Sequence, residues 1–307
     1  MNNNNDKPAK ENMTQIITQK KSGLFKKNDD TAPDKDFINI KLYDDSEYVI
    51  SLRCIDVYAN QILGSRKTQQ DMFAASQPST DLLSEVPMAW AVVCDGMGGM
   101  ASGELASQTA TEVVKQVFQS AYAGDNIPQL MSQAVHIAND EVKKISAQKS
   151  ELTGTTLVGV IVIDNSLYCA SVGDSRIYLC RGNEITQLTR DHNYKLELDE
   201  MVKAGKMSAE EAAHDPHKEA LISFIGIEDL TLADITTKPI KLASDDVIIL
   251  CSDGLTKVLS DRAILNIVNQ KKANIADLTE ALLAEVQIDP ARKLDNTTIA
   301  VLKYLNN

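Results

Sequence analysis

Short apolar runs separated by polar turns cover most of the chain. Runs of this length that are rich in β-branched residues are typical of buried strands. They fall at residues 89–94, 155–163, 167–172, 247–251 and 297–304, and weaker strand patterns cover 37–43, 48–58 and 175–181. The turns Asp164-Asn165-Ser166 and Gly182-Asn183 join neighbouring runs and predict antiparallel hairpins.

Apolar residues at helical spacing predict two pairs of helices. The first helix starts near Gly103, and its apolar positions recur as far as Phe118. The second follows Pro128, a residue that suits the first turn of a helix. Two more helices are predicted at about 261–270 and 275–286. Because helix pairs and hairpins occur in blocks rather than as alternating βαβ units, the pattern predicts an α+β fold built in layers.

The segment at about 193–220 has a different character from its surroundings. It is charged and helical in pattern, with few large apolar residues, and Ser208 with Glu211 matches a capping box. We interpret it as a mobile helical flap over the strand ends. Residues 1–36 are polar, and we predict that they form a flexible tail before a single domain at 37–307.

Composition narrows the class of protein. Of the 307 residues, 43% are hydrophobic, so the chain can bury a large core and is not wholly disordered. A net charge of −12 argues against non-specific binding to nucleic acid or to anionic membranes. The five cysteines show no CxxC spacing, which favours reduced thiols in a cytoplasmic protein over a zinc site or a disulfide framework. No apolar run reaches the roughly 18 residues of a membrane helix, and we expect a monomer.

Four aspartates stand at the ends of predicted strands: Asp95, Asp174, Asp253 and Asp295. A single Asp-Gly pair after a strand is usually a turn, but repetition at four strand ends predicts a carboxylate cluster. Glycines follow Asp95 closely, so the backbone there can approach a ligand. Carboxylates and bare carbonyl groups are the ligands that hard divalent cations prefer.

Arg66 and two histidines are further candidates. Arg66 lies shortly before Asp71, and it forms either a solvated surface pair or, in a phosphate site, a fork that binds two anionic oxygens. His136 falls on a helix away from the other candidates, and we interpret His192 as structural.

Seven short motifs occur in a fixed order between residues 64 and 302. They are Arg66 with Asp71; Asp95-Gly96-Met97-Gly98-Gly99 with Gly103-Glu104; Gly154-Thr155-Thr156; Gly173-Asp174-Ser175-Arg176; Leu188-Thr189 with Asp191-His192; Ser252-Asp253-Gly254; and Asp295-Asn296. Each motif alone is weak. In this order and spacing they resemble the PPM family, the type 2C metal-dependent serine/threonine protein phosphatases, and specifically its bacterial members.

The resemblance implies a fold and a metal centre. The fold would be a four-layer α-β-β-α sandwich, with two antiparallel sheets face to face and a helix pair on each. Asp95 would bridge two metal ions, and the Gly96 carbonyl would bind one of them. Asp253 and Asp295 would hold the other ion, and Asp174 resembles the ligand of a third, weaker site.

The resemblance also implies the chemistry. Asp71 would order metal-bound water from the second shell, and Arg66 would grip the substrate phosphate. An all-oxygen ligand set selects Mg²⁺ or Mn²⁺ over zinc, and a hydroxide bridging two such ions can attack a phosphate in line, without a phosphoenzyme. The partners would be phosphoserine and phosphothreonine proteins, with a Ser/Thr kinase and its substrates.

Three departures from the family pattern bear on this reading. Met97 stands where some members have a histidine that protonates the leaving alkoxide, so here a water would have to donate. Gln69-Gln70 stands where family members usually have Asn followed by Glu or Gln. Ile222-Ser223 stands where they have Thr-Arg, so a nearby cation is absent here.

Two other functions stay open on the sequence. One is a catalytically dead phosphatase-like module that only binds phosphoproteins; the presence of every core aspartate favours the active enzyme. The other is a hydrolase of small phosphate esters; the charged flap and the open surface expected of the fold favour protein substrates, by analogy.

Overall fold

The structure, a computed structural model, describes residues 55–76, 88–122, 124–149, 152–289 and 291–305. These residues all belong to one unit of the chain, Ile38–Asn307. The predicted tail at 1–36, the predicted strand at 37–43 and most of the one at 48–58 lie outside them.

Twelve strands and seven helices occur within the described residues. The strands are β1 (Ile55–Ile62), β2 (Asp71–Ala75), β3 (Met88–Met97), β4 (Gly154–Thr155), β5 (Leu157–Ile163), β6 (Ser166–Val172), β7 (Arg176–Arg181), β8 (Glu184–Gln187), β9 (Asp234–Ile235), β10 (Ile240–Lys241), β11 (Val247–Cys251) and β12 (Thr297–Tyr304). The helices are α1 (Met100–Gln119), α2 (Ile127–Lys149), α3 (Lys195–Lys203), α4 (Ala209–His214), α5 (Asp253–Thr256), α6 (Asp261–Lys271) and α7 (Ile275–Val286).

The strands form two antiparallel sheets. One has the order β1-β12-β11-β7-β8, and the other the order β10-β6-β5-β3-β2, with β4 paired to β3 and β9 to β6. β5 and β6 form a hairpin that runs from the pair Leu157–Val172 to the pair Ile163–Ser166, and β7 and β8 form another. The predicted hairpins are therefore present.

The strand β5 shows why its sequence is apolar at every position. Val158, Val160 and Val162 point into the core between the two sheets, whereas Leu157 and Ile161 point to the opposite face, towards α1 and α2. Successive side chains of a strand alternate between the two faces of a sheet. Since both faces are covered, alternation between apolar and polar residues is lost.

Helix pairs cover the outer faces of the sheets. On one side α1 and α2 pack on the sheet that contains β3, where Phe118 meets Trp90 edge-on with ring centroids 6.2 Å apart. On the other side α6 and α7 place Ile264, Val268 and Leu282 against residues of β11 and β12 such as Ile249. The α+β class predicted from the order of elements and the four layers implied by the resemblance are confirmed.

The segment predicted as a flap contains α3 and α4. The capping box is present, because the Ser208 hydroxyl accepts a hydrogen bond from Glu211 N and the Glu211 carboxylate accepts one from Ser208 N. Leu198 and Ala212 are buried. Mobility of this segment stays a prediction.

Two boundaries differ from those expected. The predicted strand at 155–163 is split at Thr156, whose amide and hydroxyl bond to the backbone of Asp95 instead of continuing one ladder. The first helix begins at Met100, slightly before Gly103. No helix in the described part of the chain is long and apolar enough to cross a membrane.

Candidate metal and phosphate site

Antiparallel pairing brings the predicted aspartates to one end of the two sheets. Asp71, the first residue of β2, lies opposite Asp95 near the end of β3. Asp253 follows β11 and Asp295 precedes β12, and those two strands are antiparallel neighbours. Asp174 follows β6. A strand that ends and its partner that begins share one sheet edge, so distant sequence positions meet.

The electrostatics of Asp95 reflect the other carboxylates at this end of the sheets. Burial raises the pKa of Asp95 well above its usual range, and the negative charges of Asp71, Asp253, Asp174 and Asp295 raise it further. A like charge nearby disfavours ionisation. A cluster of this kind costs free energy unless positive charge is supplied.

Asp71 connects the two sheets. Its Oδ2 accepts hydrogen bonds from Ser252 Oγ at 2.7 Å and from Thr298 Oγ1 at 2.8 Å. Burial nevertheless raises the pKa of Asp71 to about 6. Its Oδ1 is buried without a hydrogen-bond partner among the described residues, so hydroxyl donors fix one oxygen of this carboxylate and not the other.

Two cations contact the aspartates at the mouth of the site. Arg66 places Nε 2.8 Å from Asp295 Oδ1 and Nη2 2.9 Å from Asp295 Oδ2. Lys257 Nζ contacts Asp253 Oδ2 and lies 3.2 Å from Asp295 Oδ2. The Arg66 guanidinium therefore forms a two-point ion pair with Asp295 rather than with Asp71, the aspartate of its own motif.

These cations shift the pKa values of the two aspartates to different extents. Burial raises the pKa of Asp295, but hydrogen bonds from Arg66 and Lys257 outweigh it and the net shift is downward. The pKa of Asp253 is raised by burial, which the charge of Lys257 offsets only in part. Asp253 Oδ1 is buried and has no hydrogen-bond partner in the part of the chain that the structure describes.

The sequence reasoning missed Lys257. A signal was available, because Lys257 lies four residues after Asp253, where side chains share a helix face.

Asp174 lies on a turn that is stabilised by a hydrogen bond to His192. Gly173 has a φ of +100°, a conformation that favours glycine, and its N–H donates to His192 Nδ1 at 3.2 Å. His192 Nε2 therefore carries the proton and donates to Asp234 Oδ2 at 3.1 Å. Burial, and then the charges of Asp253 and Asp191, raise the pKa of Asp174 to about 7. His192 is fully buried and stabilises this turn, which agrees with the interpretation of His192 as a structural residue.

Gly96 is enclosed by backbone. A Cβ built there would lie 2.2 Å from the Gly103 carbonyl oxygen and 2.6 Å from that of Gln70. Its N–H donates to Gln70 O at 3.0 Å. Any side chain would force these segments apart, so the glycine motif serves close backbone packing beside Asp95.

The glutamines that depart from the family pattern have structural partners. Gln69 Oε1 accepts from Asp71 N at 3.1 Å, and Gln70 N donates to Asn296 Oδ1 at 2.9 Å. Asn296 Nδ2 in turn donates to Leu63 O at 2.9 Å. Asn296, the residue after Asp295, therefore links Leu63 in the loop after β1 to Gln70 directly before β2. Its place in a motif did not reveal this role.

Of the other departures, Ser223 is buried, and its hydroxyl donates to Leu232 O at 2.6 Å. Met97 pairs with Gly154 across β3 and β4.

The donor set fits a hard divalent cation in chemistry and charge. It consists of carboxylate oxygens, and two of them, on Asp71 and Asp253, are buried without a hydrogen-bond partner within the described ranges. As the side chains stand, against Arg66, Lys257 and hydroxyl groups, the described residues contain no group of three or more His, Cys, Asp or Glu positioned to hold an ion. The fit therefore rests on the type of donor, the unpartnered oxygens and the excess negative charge.

Comparison with known proteins supplies the family. The family model described as protein phosphatase 2C matches residues 55–201. The protein phosphatase PhpP of Streptococcus pneumoniae serotype 2 is 35% identical over 214 residues, which cover 69% of this chain and 84% of that protein. The serine/threonine phosphatase stp of Listeria monocytogenes serotype 4b is 31% identical over 186 residues, or 59% of this chain and 72% of that protein.

Solved structures agree. The S. agalactiae serine/threonine phosphatase superimposes with a TM-score of 0.70 at 26% identity, covering 82% of this chain and 100% of that one. The catalytic domain of the serine/threonine protein phosphatase PstP, solved in complex with two manganese ions, has a TM-score of 0.64 at 26% identity and covers 82% and 99%. These matches confirm the predicted fold and the resemblance on which it rested.

Proposed function

We propose that this chain, which belongs to the protein phosphatase 2C family, hydrolyses phosphoserine and phosphothreonine in proteins. The observation that carries the proposal is the meeting of aspartates at one end of the two sheets. Asp71 lies opposite Asp95 and accepts a hydrogen bond from Ser252, the residue before Asp253. Lys257 contacts both Asp253 and Asp295. The similarity to proteins named as serine/threonine phosphatases supports the choice of substrate.

Asp95, the Gly96 carbonyl, Asp253 and Asp295 would hold two Mn²⁺ or Mg²⁺ ions, and Asp174 would contribute to a third, weaker site. When bound, such ions activate water and stabilise the charge of an in-line displacement. The manganese in the PstP structure supports this assignment for a relative of similar fold. The unpartnered buried oxygen of Asp253 supports it in this chain.

The chain's own groups would prepare the site for this reaction. Asp71, fixed by Ser252 and Thr298, would accept a hydrogen bond from the attacking water on its unpartnered oxygen. Arg66 directs two parallel N–H donors at the two oxygens of Asp295, and the same pair of donors would bind two oxygens of the substrate phosphate. Met97 carries no proton to give, so a water held by Asp174 would protonate the leaving oxygen.

The decisive experiment is hydrolysis of a phosphothreonine peptide by the purified chain with Mn²⁺, with excess chelator, and with Asp95→Ala. Turnover should require the metal and Asp95. Peptide binding without turnover in any metal would instead identify a dead binding module. A kcat/KM that is far higher for aryl phosphates than for every phosphopeptide would identify a hydrolase of small esters.

The cellular setting is also proposed. The partners would be proteins phosphorylated by a Ser/Thr kinase. The chain would act on them as a monomer in the cytoplasm. Four cysteines in the described residues are buried and free, at positions 94, 169, 180 and 251, and a reducing compartment would keep them so.

The domain would span 37–307, with the flap at about 193–220, and residues 1–36 would be a tail that the chemistry does not need. Deleting residues 1–36 should leave kcat on a small aryl phosphate within about twofold of the full chain, since the family match begins after them. A large loss, measured beside an equal amount of folded full-length protein, would place the tail within the domain.

A further inference from the structure

A cleft of about 730 Å³ opens beside Asp295. Nine residues line it: Ser65, Arg66, Gly254, Lys257, Val258, Arg292, Lys293, Leu294 and Asp295. Four of these side chains are cationic, and Asp295 is the one acidic residue among them. We call these residues the basic cleft. Such a concentration of positive charge contrasts with the net charge of −12 of the whole chain.

The walls of the basic cleft are fixed by backbone contacts. Ser65 N donates to Leu294 O at 2.9 Å, and Leu294 N donates to Ser65 Oγ at 3.1 Å. Arg292 Nη2 donates to Lys257 O at 2.5 Å, which joins the loop before β12 to the end of α5. Gly64 has a φ of +63°, and a Cβ there would lie 2.2 Å from Asp295 O. The loops thus hold the cations in a defined arrangement.

The four cations differ in how their charge is balanced. Arg66 and Lys257 form ion pairs with Asp253 and Asp295. Arg292 and Lys293 are exposed, and neither forms an ion pair with any side chain in the described residues. Their charge is therefore available to an external anion.

We propose that the basic cleft binds acidic side chains that flank the phosphorylated residue of a protein substrate. This inference rests on the proposed function, because Arg66 and Asp295 belong both to the basic cleft and to the site of the proposed reaction. A substrate with its phosphate at that site would extend past Arg292 and Lys293. Arrays of cations favour anionic partners and repel cationic ones, so Lys- and Arg-rich phosphosites would be poor substrates.

The test compares matched phosphothreonine peptides. One has Glu at the three positions on either side of the phosphothreonine, and the other has Gln at those positions. Each exposed ion pair gained is worth roughly a two- to fivefold increase in kcat/KM. We expect the Glu peptide to be preferred by at least that factor, and the preference to shrink as salt rises, because exposed charges are screened.

Variants locate the preference in the basic cleft. Lys293→Gln should reduce the ratio of kcat/KM for the Glu and Gln peptides by roughly two- to fivefold, and Lys293→Glu should reduce it further or invert it. Lys271→Gln, a matched loss of charge at the exposed end of α6, should leave the ratio unchanged. An equal fall in kcat/KM for both peptides in the Lys293 variants would overturn the proposal, and so would equal use of both peptides by the unaltered chain.

A readout that needs no turnover separates the two proposals. Fluorescence anisotropy of labelled, unphosphorylated Glu and Gln peptides should show tighter binding of the Glu peptide, lost in Lys293→Glu. If no phosphopeptide is hydrolysed but this difference is seen, the proposed function fails and the basic cleft stands. If phosphopeptides are hydrolysed but neither binding nor kcat/KM distinguishes Glu from Gln, the reverse holds.

Discussion

The strand β11 has an aspartate near each end, one buried and one partly exposed, and their carboxylate oxygens have different partners. Asp246, directly before the strand, is 1% exposed and has both carboxylate oxygens occupied. Arg181 donates to Oδ1 at 2.9 Å and to Oδ2 at 2.6 Å, and Ala243 N donates to Oδ2 at 2.8 Å. Asp253, just after the strand, has one buried oxygen that no described residue contacts through a hydrogen bond.

The difference separates a structural carboxylate from one that is held for a ligand. Buried polar atoms are almost always hydrogen-bonded, because burial without a partner costs free energy. At Asp246 a guanidinium group and a backbone amide meet that requirement from within the chain. At Asp253 no described residue meets that requirement for Oδ1. The pKa of Asp253 is raised, and so are those of Asp71, Asp95 and Asp174.

The strand between them explains why this cost is tolerated. Every residue of β11 is buried, and the strand pairs with β12 on one side and β7 on the other. A rigid support lets one end carry unfavourable electrostatics without local unfolding. Substitutions at the two ends should therefore separate activity from stability.

Asp253→Ala should have the largest effect on activity. It removes a proposed metal ligand and a partly buried charge that lies among other carboxylates, so turnover of a phosphothreonine peptide with Mn²⁺ should fall to background. The metal-free protein should melt no lower than the unaltered chain. Steady-state kinetics and circular dichroism melting check the two halves. Activity above a tenth of the original rate would contradict the assignment of Asp253 as a ligand.

Asp174→Asn should come next. General acid assistance is worth about 10²–10⁴-fold, and we expect a loss of that size in kcat, because Met97 offers no alternative donor. The two core ions should remain, which calorimetric titration with Mn²⁺ can count. Loss of both ions would make Asp174 a structural residue, and full activity would make the third site irrelevant.

How far the sequence predicted this site depended on whether a partner is local in the chain. The aspartates at strand ends, the glycines beside Asp95 and the capping box of Ser208 are local patterns. The four layers came from the family resemblance together with the order of helices and strands. The local patterns follow from periodicity and from residues that only certain turns accept.

Apart from Lys257, which lies only four residues after Asp253, the missed features are pairings over long sequence distances. Arg181 and Asp246 are 65 residues apart, and Asp71 and Ser252 are 181 apart. The contact of Arg66 with Asp295 joins residues 229 apart. No periodicity encodes these contacts, since they exist only after the sheets have paired and stacked, and polar residues of one type fit many partners.

Asp246→Ala should affect stability and spare catalysis. Hydrogen bonds to charged groups contribute roughly 1.5–3 kcal/mol each, but Arg181 is about half exposed and can be solvated by water, so we expect a net loss of about 2 kcal/mol. For a domain of this size that is a fall in Tm of roughly 5 °C. The kcat per folded molecule should stay within about twofold. A change in kcat as large as that of Asp174→Asn would break the distinction between the two ends.

The smallest expected effect is a dependence of metal-free stability on pH, confined to the site end of the sheets. Folding raises the pKa of Asp71 to about 6 and that of Asp174 to about 7, from an ordinary value of 3.8, mainly through burial. Between about pH 4 and pH 7 the folded chain therefore binds more protons than the unfolded chain, and its free energy of unfolding falls as pH rises. This contribution is fully present below the ordinary pKa and is lost as pH passes through 6 and 7.

The measurement is a series of melting curves of chelator-treated protein from pH 5 to pH 7.5. The Tm should decline over this range by a few degrees more in the unaltered chain than in Asp174→Asn, which keeps the shape of the side chain but cannot ionise. Asp246→Ala should melt lower at every pH with an unchanged slope, because neither raised pKa is altered. Adding Mn²⁺ at pH 7.5 should raise the Tm, since a ligand that binds only the folded state stabilises it. Equal slopes in Asp174→Asn and the unaltered chain would show that the acidic end bears no such electrostatic cost, and the contrast with Asp246 would then lose its physical basis.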